Sequence, residues 1–272
     1  MIDLQDTLVE AIRVISARDP VLARRIGAAA AHGHALAPAA GALLAEWQSD
    51  QPTDPQNHDL ARVFTKIYAQ GLWGRDANDS SAYYSGSGTH TPAIADPYVA
   101  AIRALAATFP HAPSAADLGC GDFHIGAQVR GAFASYIACD IVPGLIEQNR
   151  QRYNAQEVEF RCLDLTTDDL PQADVIVVRQ VLQHLSNRDI AGFVSRVAGK
   201  CHWLVVTEHW PAIEPFDANV DIPTGSEIRL AQRSGVVLTQ APFNLRVVQS
   251  RRLCAQPEFG GMIVTMAYRM AP

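Results

Sequence analysis

Positive charge is scarce in this sequence. Its 272 residues include 22 Lys and Arg against 28 Asp and Glu, which gives a formal net charge of -6 at pH 7. A negative field repels a phosphate backbone, so the composition argues against DNA or RNA as a partner. The two tight basic pairs, Arg24-Arg25 and Arg251-Arg252, are short runs of the kind that usually form a solvated surface.

Cysteine pairs and long apolar runs are also missing. The five cysteines form no C-x-x-C pattern, so we expect a reduced, cytoplasmic protein without a disulfide framework. His202, Glu208 and His209 match no standard ligand spacing, and no metal is expected. No apolar stretch approaches the ~20 residues that span a bilayer. The segment MIDLQDTLVEAIRVI lacks the basic start of a secretory signal, so no membrane partner is expected.

The first third of the chain has helical and loop patterns. The expected pieces are a helical stretch at 3–48, a polar break at 49–57, a helix at 58–71 and a Gly/Ser-rich segment at 71–92. The last of these carries aromatic residues, which favours an ordered loop that covers a site over a plain linker. We therefore predict a helical cap with its loop over 1–96 and a second domain over 97–272.

Strand and helix patterns alternate through that second domain. Candidate strands lie at 115–118, 136–141, 157–163, 174–178 and 203–207, and candidate helices at 97–109, 123–132, 143–153 and 187–198. Strands that are apolar throughout suit a parallel sheet buried on both faces, so the pattern predicts a doubly wound, Rossmann-like α/β sheet. Two strand-like runs at 246–255 and 261–269 flank a short turn and predict an antiparallel pair at the end of the sheet.

A glycine-rich turn with acidic neighbours is the main chemical signal. Asp117 and Gly119-Cys120-Gly121 stand where the first buried strand ends, the edge at which open α/β sheets bind ligands. Ala127-Gln128 replace the lysine that a Walker P-loop needs, and His124 replaces the third glycine of a dinucleotide fingerprint. Asp122 would repel a pyrophosphate. The turn therefore favours a nucleoside cofactor without phosphates, such as S-adenosylmethionine.

Two further acids end the next strands. Asp140 follows Gly121 at the spacing of about 20 residues where a carboxylate accepts hydrogen bonds from both ribose hydroxyls. The alternative is an acid that only caps the next helix. Asp164-Leu165 ends the third strand, where the acid can accept from an adenine amino group and the leucine can pack on the ring.

Together these residues resemble the motifs of class I S-adenosylmethionine-dependent methyltransferases. The similar segments are Asp117–Gly121, Asp140, Asp164-Leu165 and Val181–Leu185. The resemblance implies that Asp117, Gly119 and Gly121 line the methionine part, Asp140 the ribose, Asp164 and Leu165 the adenine, and Gln180 the sulfonium end. Ile141, next to Asp140, is also expected to bind the cofactor. A closer similarity, to a little-characterised bacterial group, rests on Ser85–Gly88, Asp122-Phe123, Asn219–Gly225 and Pro242–Asn244. This chain departs from that group at Ser226–Arg229.

Candidates for acceptor chemistry lie on loops at the same edge. His184 and His209 follow the fourth and fifth strands; a histidine there can act as a general base, or it can pack and bind a backbone group. Tyr84 is the third candidate catalytic residue, and with Tyr83 it can form an aromatic wall or ordinary packing. Residues 211–243 exceed what a strand connection needs and are expected to form an acceptor lid.

The function expected from these patterns is methyl transfer to N or O of a small polar or aromatic metabolite. A protein methyltransferase and a cofactor-binding module without catalysis are the alternatives, because a fold does not fix a function. The expected partner is a small-molecule acceptor, with neither nucleic acid nor membrane. A homodimer through the N-terminal helices is a hypothesis.

Overall fold

The structure, a computed structural model, describes residues 59–75, 83–213 and 215–271. The chain divides into two compact units, Met1–Asp59 and Leu60–Pro272, and all elements below belong to the second. The helix and break expected over 3–57 lie outside the described residues. The domain boundary expected at residue 97 falls inside the second unit, because Leu60 and Phe64 share a core cluster with Ile176 of the sheet.

Seven strands form one sheet in the order β3-β2-β1-β4-β5-β7-β6. Their bounds are β1 Ser114–Leu118, β2 Ser135–Asp140, β3 Glu159–Cys162, β4 Val175–Arg179, β5 Trp203–Pro211, β6 Val247–Glu258 and β7 Gly261–Met270. Strands β1 to β5 pair in parallel, while β7 runs antiparallel to both β5 and β6. The expected Rossmann-like sheet with an antiparallel end is confirmed.

The described helices are α1 Leu60–Gln70, α2 Ser87–His90, α3 Pro92–Ala106, α4 His124–Val129, α5 Pro143–Arg152 and α6 Asn187–Val197. The start expected for α3, Pro97, was wrong. Pro92 occupies the first turn, where its missing N–H costs nothing, and the helix continues through Pro97. Within the described ranges, no helix has the length and apolar character needed to cross a membrane.

The core lies on both faces of the sheet. Helices α1 and α6 cover one face, and α3 and α4 cover the other. Along β4, Ile176 and Val178 pack in the first cluster, while Val175 and Val177 pack in the second. This is why the strand is apolar at every position, as parallel strands between two helical layers usually are.

The topology brings several chain segments to one edge of the sheet. The parallel strands β1 to β5 all end there, and α1 lies beside them in the same core cluster. Because β7 is antiparallel to β5, Pro211 lies opposite Gly261, and the β6–β7 turn reaches the same edge. That edge is where open α/β sheets hold their ligands.

Candidate active site

A cavity of about 360 Å³ opens at this edge. Its wall comes from the ends of the parallel strands, from α1, from the segment Ser85–Thr89 and from the β6–β7 turn. Every residue expected to bind a cofactor lines it: Asp117, Gly119, Gly121, Asp140, Ile141, Asp164, Leu165 and Gln180. Among the expected catalytic residues, His184 and His209 line the cavity, and Tyr84 is not part of its wall.

The two glycines of the turn after β1 are required by close approach as well as by backbone conformation. Gly119 has φ +80° and Gly121 has φ +54°, in the region that L side chains rarely adopt. A Cβ on Gly119 would lie 2.3 Å from Val181 Cγ2, and one on Gly121 would lie 2.3 Å from Ser85 Oγ. The turn is therefore packed between the segment after β4 and the Ser85 segment.

Asp140 is fixed at the cavity wall by two backbone donors. Its Oδ2 accepts from the N–H of Gly121 and its Oδ1 from the N–H of Val142, each at 3.1 Å. Each carboxylate oxygen has a second lone pair for a further donor. Burial raises the pKa of Asp140 to about 6, although these backbone hydrogen bonds oppose the shift. The acid thus lines the cavity and binds the start of the α5 region at once.

Asp117 is the second buried carboxylate in the wall. Burial raises its pKa to about 7, while the hydrogen bond from Tyr136 Oη to Oδ2, 3.1 Å long, lowers it. The negative charge of Asp140 adds to the rise and the positive charge of Arg179 opposes it. Two acids of one cavity therefore titrate near neutral pH.

Asp164 and Leu165 form the wall at the β3 end of the cavity. Asp164 Oδ1 accepts from both the N–H and the hydroxyl of Thr166, at 2.7 Å each. The Asp164 N–H donates to Asp168 Oδ2 at 2.9 Å, so the turn is held from both sides. Leu165 is buried beside it. A carboxylate next to an apolar side chain suits a ring that carries an amino group.

Asp122, one of the acids beside the glycine-rich turn, lies outside the cavity wall. Its carboxylate does not line the cavity; Oδ2 accepts from the Ser85 N–H at 3.0 Å and contacts His90 Nε2 at 2.6 Å. In return, the Asp122 N–H donates to Ser85 Oγ at 2.9 Å. Burial raises the pKa of Asp122, but the hydrogen bond and charge of His90 outweigh it, so that pKa lies below its ordinary value. Asp122 anchors the Ser85 segment.

Two further side chains anchor that segment, and sequence reasoning missed both. Ser87 Oγ donates to Glu258 Oε1 of β6 at 2.7 Å. Arg179 at the end of β4 donates from Nη2 to the Gly88 carbonyl at 2.5 Å and from Nη1 to Thr89 Oγ1 at 3.1 Å. The only signal for Arg179 in the sequence was a charged residue at the end of an apolar strand.

Tyr84 lies in a stack of rings outside the cavity wall. Its ring is 4.5 Å from that of His90, which is 4.4 Å from that of His124. Tyr83 instead packs against Tyr68, with ring centroids 5.5 Å apart. Aromatic side chains in the cavity wall include Phe64 and Tyr68 of α1, Trp73 of the turn after it, Tyr98, Tyr136 and Phe259. Sequence reasoning singled out Trp73 in the Gly/Ser-rich segment and missed Phe64 and Tyr68.

His184 has both ring nitrogens engaged. Gln183 Oε1 accepts from the His209 N–H at 3.0 Å, so the Gln183 amide nitrogen faces His184 Nε2 at 3.3 Å. This assigns Nε2 as an acceptor and Nδ1–H as the donor to the Glu227 carbonyl, at 3.2 Å. Burial lowers the pKa of His184 to about 4, so the ring is neutral. Trp73 packs on it with centroids 4.8 Å apart.

His209 is less constrained. Its Nε2 donates to the Glu258 carbonyl at 2.7 Å, which assigns Nδ1 as the nitrogen with the lone pair. Among the described residues, Nδ1 has no hydrogen-bond partner. Burial lowers the pKa of His209, while the carbonyl and the charge of Glu258 oppose the shift.

Among the described residues of segment 211–243, Ser226, Glu227 and Ile228 line the cavity. Its Asn219–Gly225 motif instead binds the start of α6: Asn187 Nδ2 donates to the Asn219 carbonyl, the Asn187 N–H to Asp221 Oδ1, and the Ser186 N–H to Thr224 Oγ1, each at 2.7 Å. The motif that resembled a known group is thus accounted for by docking of this segment.

Buried Arg229 and Glu208 hold the turn after β4. Arg229 Nη1 donates to the carbonyls of Leu182 and Gln183 at 3.2 Å, and Nη2 donates to that of Leu185 at 2.7 Å. Glu208 Oε1 accepts from the Leu182 N–H at 3.2 Å. Burial raises the pKa of Glu208 to about 8, and the charge of Arg229 opposes the rise. The turn therefore has an acid at its N–H end and a cation at its carbonyl end.

Comparisons with known proteins give a family match over part of the chain. Residues 116–201 match a family model described as a methyltransferase domain. A malonyl-[acyl-carrier protein] O-methyltransferase of Acetivibrio thermocellus is 34% identical over 84 residues, which are 30% of this chain and 29% of that protein. The matched stretch thus spans less than a third of that relative's length.

Solved structures share the fold at low sequence identity. The N-methyltransferase NodS of Bradyrhizobium japonicum, in complex with S-adenosyl-L-homocysteine, has a TM-score of 0.56 at 14% identity and covers 77% of this chain and 100% of its own. Magnesium protoporphyrin IX methyltransferase of Synechocystis, with bound S-adenosylmethionine, has a TM-score of 0.51 at 14% identity and covers 80% and 100%. These likenesses establish the fold.

Proposed function

We propose that this chain, which carries a methyltransferase-domain match on a methyltransferase-like fold, is an S-adenosylmethionine-dependent methyltransferase that acts on a small molecule. The observation that carries the proposal is the single cavity in which Asp140, Asp164 and the Gly119–Gly121 turn meet. Asp140 is already oriented by backbone donors, and its free lone pairs suit a pair of ribose hydroxyls.

The residues present fit each part of that cofactor. The carboxylates of Asp117 and Asp140 favour a ligand with cationic and hydroxyl groups, and the glycine turn admits it closely. When bound, S-adenosylmethionine would supply a methyl group on its sulfonium: the acceptor nitrogen or oxygen bonds to the methyl carbon, and S-adenosylhomocysteine leaves with the electron pair of the broken C–S bond. The work left to the protein is to place that nucleophile and to exclude water.

For the acceptor, we propose a small molecule with a planar or apolar part. Phe64, Trp73 and Leu72 line the cavity on the side of α1, and Phe259 of the β6–β7 turn lines it with 76% of its surface exposed. Aromatic side chains of this kind bind a planar ring through stacking and area burial. His209 is the candidate base, because it lines the same cavity and retains a free acceptor nitrogen among the described residues.

Calorimetric titration with S-adenosylhomocysteine tests the cofactor site. We expect micromolar-range binding by the wild type and a roughly 10- to 100-fold weaker affinity for Asp140→Ala, because hydrogen bonds to a charged acceptor are lost. Asp169→Ala is the matched control, since that side chain is 89% exposed and lies outside the cavity. A folded wild type that does not bind the ligand would refute the proposal.

The same preparation then serves to find the acceptor. We expect release of S-adenosylhomocysteine from S-adenosylmethionine only when a suitable aromatic or apolar amine, alcohol or phenol is present. Turnover with a protein acceptor and not with small molecules would contradict the substrate class proposed.

A further inference from the structure

Arg179 is a cation in the cavity wall that forms no ion pair with a carboxylate in the part of the chain that the structure describes. The side chain lines the cavity, and its two hydrogen bonds go to neutral groups, the Gly88 carbonyl and the Thr89 hydroxyl. Its Nε is buried and has no hydrogen-bond partner among the described residues. A buried cation that lacks an anion, and a buried donor that lacks an acceptor, both cost free energy. Such a group is commonly completed by a ligand.

The surroundings of Arg179 hold it in place. The guanidinium lies over the ring of Tyr98, 5.0 Å from its centroid. Gly88 and Thr89, which accept its hydrogen bonds, belong to the segment anchored by Asp122 and Glu258. A guanidinium fixed in this way does not need to reorganise when a ligand arrives, and its planar fork matches a carboxylate.

The position of Arg179 indicates which carboxylate it would receive. Gly88 packs against the Gln180 amide, where an added Cβ would lie 2.7 Å from Nε2, and Asp117 lines the same part of the wall. Asp117 and Arg179 influence each other electrostatically. A ligand with both an ammonium and a carboxylate would therefore find an acid and a cation on one wall.

Resting on the function proposed above, we infer that Arg179 binds the carboxylate of the cofactor's amino-acid part and makes the site select ligands that carry it. Asp117 faces the ammonium of the same group. A carboxylate on the acceptor is the other source of this chemistry, and binding measurements without an acceptor distinguish the two.

Three nucleosides separate the charges. S-adenosylhomocysteine carries both the ammonium and the carboxylate, 5′-(3-aminopropylthio)-5′-deoxyadenosine keeps only the ammonium, and 5′-methylthioadenosine has neither. We expect Arg179→Gln to weaken binding of S-adenosylhomocysteine about 10- to 100-fold, because a charge-assisted pair is lost. The affinities for the other two should change less than about threefold. Titration calorimetry of wild type and variant measures all six values.

Two variants keep the result interpretable. Arg161→Gln removes an arginine that is 41% exposed and lies outside the cavity, and it should leave every affinity unchanged. Arg179→Lys retains the charge and should recover part of the lost affinity for S-adenosylhomocysteine alone. Thermal unfolding of each variant confirms that it is folded.

Other outcomes would overturn the inference in distinct ways. Equal losses for all three nucleosides in Arg179→Gln would mean a structural role. Unchanged affinity for S-adenosylhomocysteine would mean that the carboxylate lies elsewhere or that Arg179 serves the acceptor. A folded wild type that binds none of the three would refute the proposed function itself.

Discussion

At the scale of the residue, the two cavity histidines differ in what their ring nitrogens contact. His184 donates through Nδ1 and accepts through Nε2, and its pKa is lowered to about 4 by burial. His209 donates through Nε2 only, to a backbone carbonyl. A general base needs a free lone pair within reach of the proton it removes. The geometry therefore favours His209 for catalysis and gives His184 a role in positioning the turn after β4.

Exchanging each histidine for asparagine tests this division. We expect His209→Asn to lower the rate of methyl transfer about 10²- to 10⁴-fold, the usual contribution of a general base, with the affinity for S-adenosylhomocysteine unchanged. His184→Asn should lower the melting temperature and should change the turnover number little. The measurements are turnover with the acceptor found by screening, titration calorimetry and thermal unfolding. Full activity of His209→Asn beside an inactive, well-folded His184→Asn would reverse the assignment.

The acids that line the cavity at the strand ends were predictable from sequence, whereas the residues that hold the Ser85 segment were not. Asp117, Asp140 and Asp164 stand at or just after strand ends, and parallel strands bring their ends to one edge by a local rule. Asp122 differs, because its partner Ser85 is 37 residues away, and Arg179 reaches Gly88 across 91 residues. Contacts of that separation depend on how loops pack, which strand and helix patterns do not encode.

At the scale of the element, segment 211–243 acts mainly as a clamp on the turn after β4. Arg229 joins the carbonyls of Leu182, Gln183 and Leu185 to this segment, and its Nε donates to the Val220 carbonyl at 2.9 Å. The acceptor lid stays a prediction, and within the described part of the segment Ser226–Ile228 are the residues that line the cavity. Loop length alone indicated a functional segment but not which part of it faces the ligand.

Removing the cation should destabilise the whole unit. In Arg229→Met, the carbonyls of Leu182, Gln183, Leu185 and Val220 lose the donors of the guanidinium. A buried acceptor left without its donor costs about 1–3 kcal/mol, and each kcal/mol lowers the melting temperature of a domain of this size by roughly 2–4 °C. Arg233→Met, an exposed arginine of the same segment, is the control. Thermal unfolding by circular dichroism measures both. Equal melting temperatures for Arg229→Met and Arg233→Met would contradict the clamp.

At the scale of the whole molecule, the topology that builds the core also places acids where they are hard to ionise. β1 and β2 are parallel neighbours with Leu118 opposite Cys139, so Asp117 and Asp140 end adjacent strands that are buried on both faces. Burial raises their pKa values to about 7 and about 6. In the free protein these acids bind protons at pH values where they would be ionised in the unfolded chain. Their ionisation therefore lowers the free energy of unfolding as the pH rises from about 4 to 7.

Binding of S-adenosylhomocysteine should have the opposite dependence on pH. The ligand's ammonium and ribose hydroxyls require the charged carboxylates, so below these pKa values binding must release protons. We expect the affinity to be constant above about pH 8 and to fall as the pH drops through 7 and 6, by about tenfold per pH unit for each acid that must ionise. Titration calorimetry at constant ionic strength from pH 8 to pH 5 measures this. Asp117→Asn should abolish the part of the fall nearest pH 7, and an affinity that stays flat over the range would show that neither acid changes its protonation on binding.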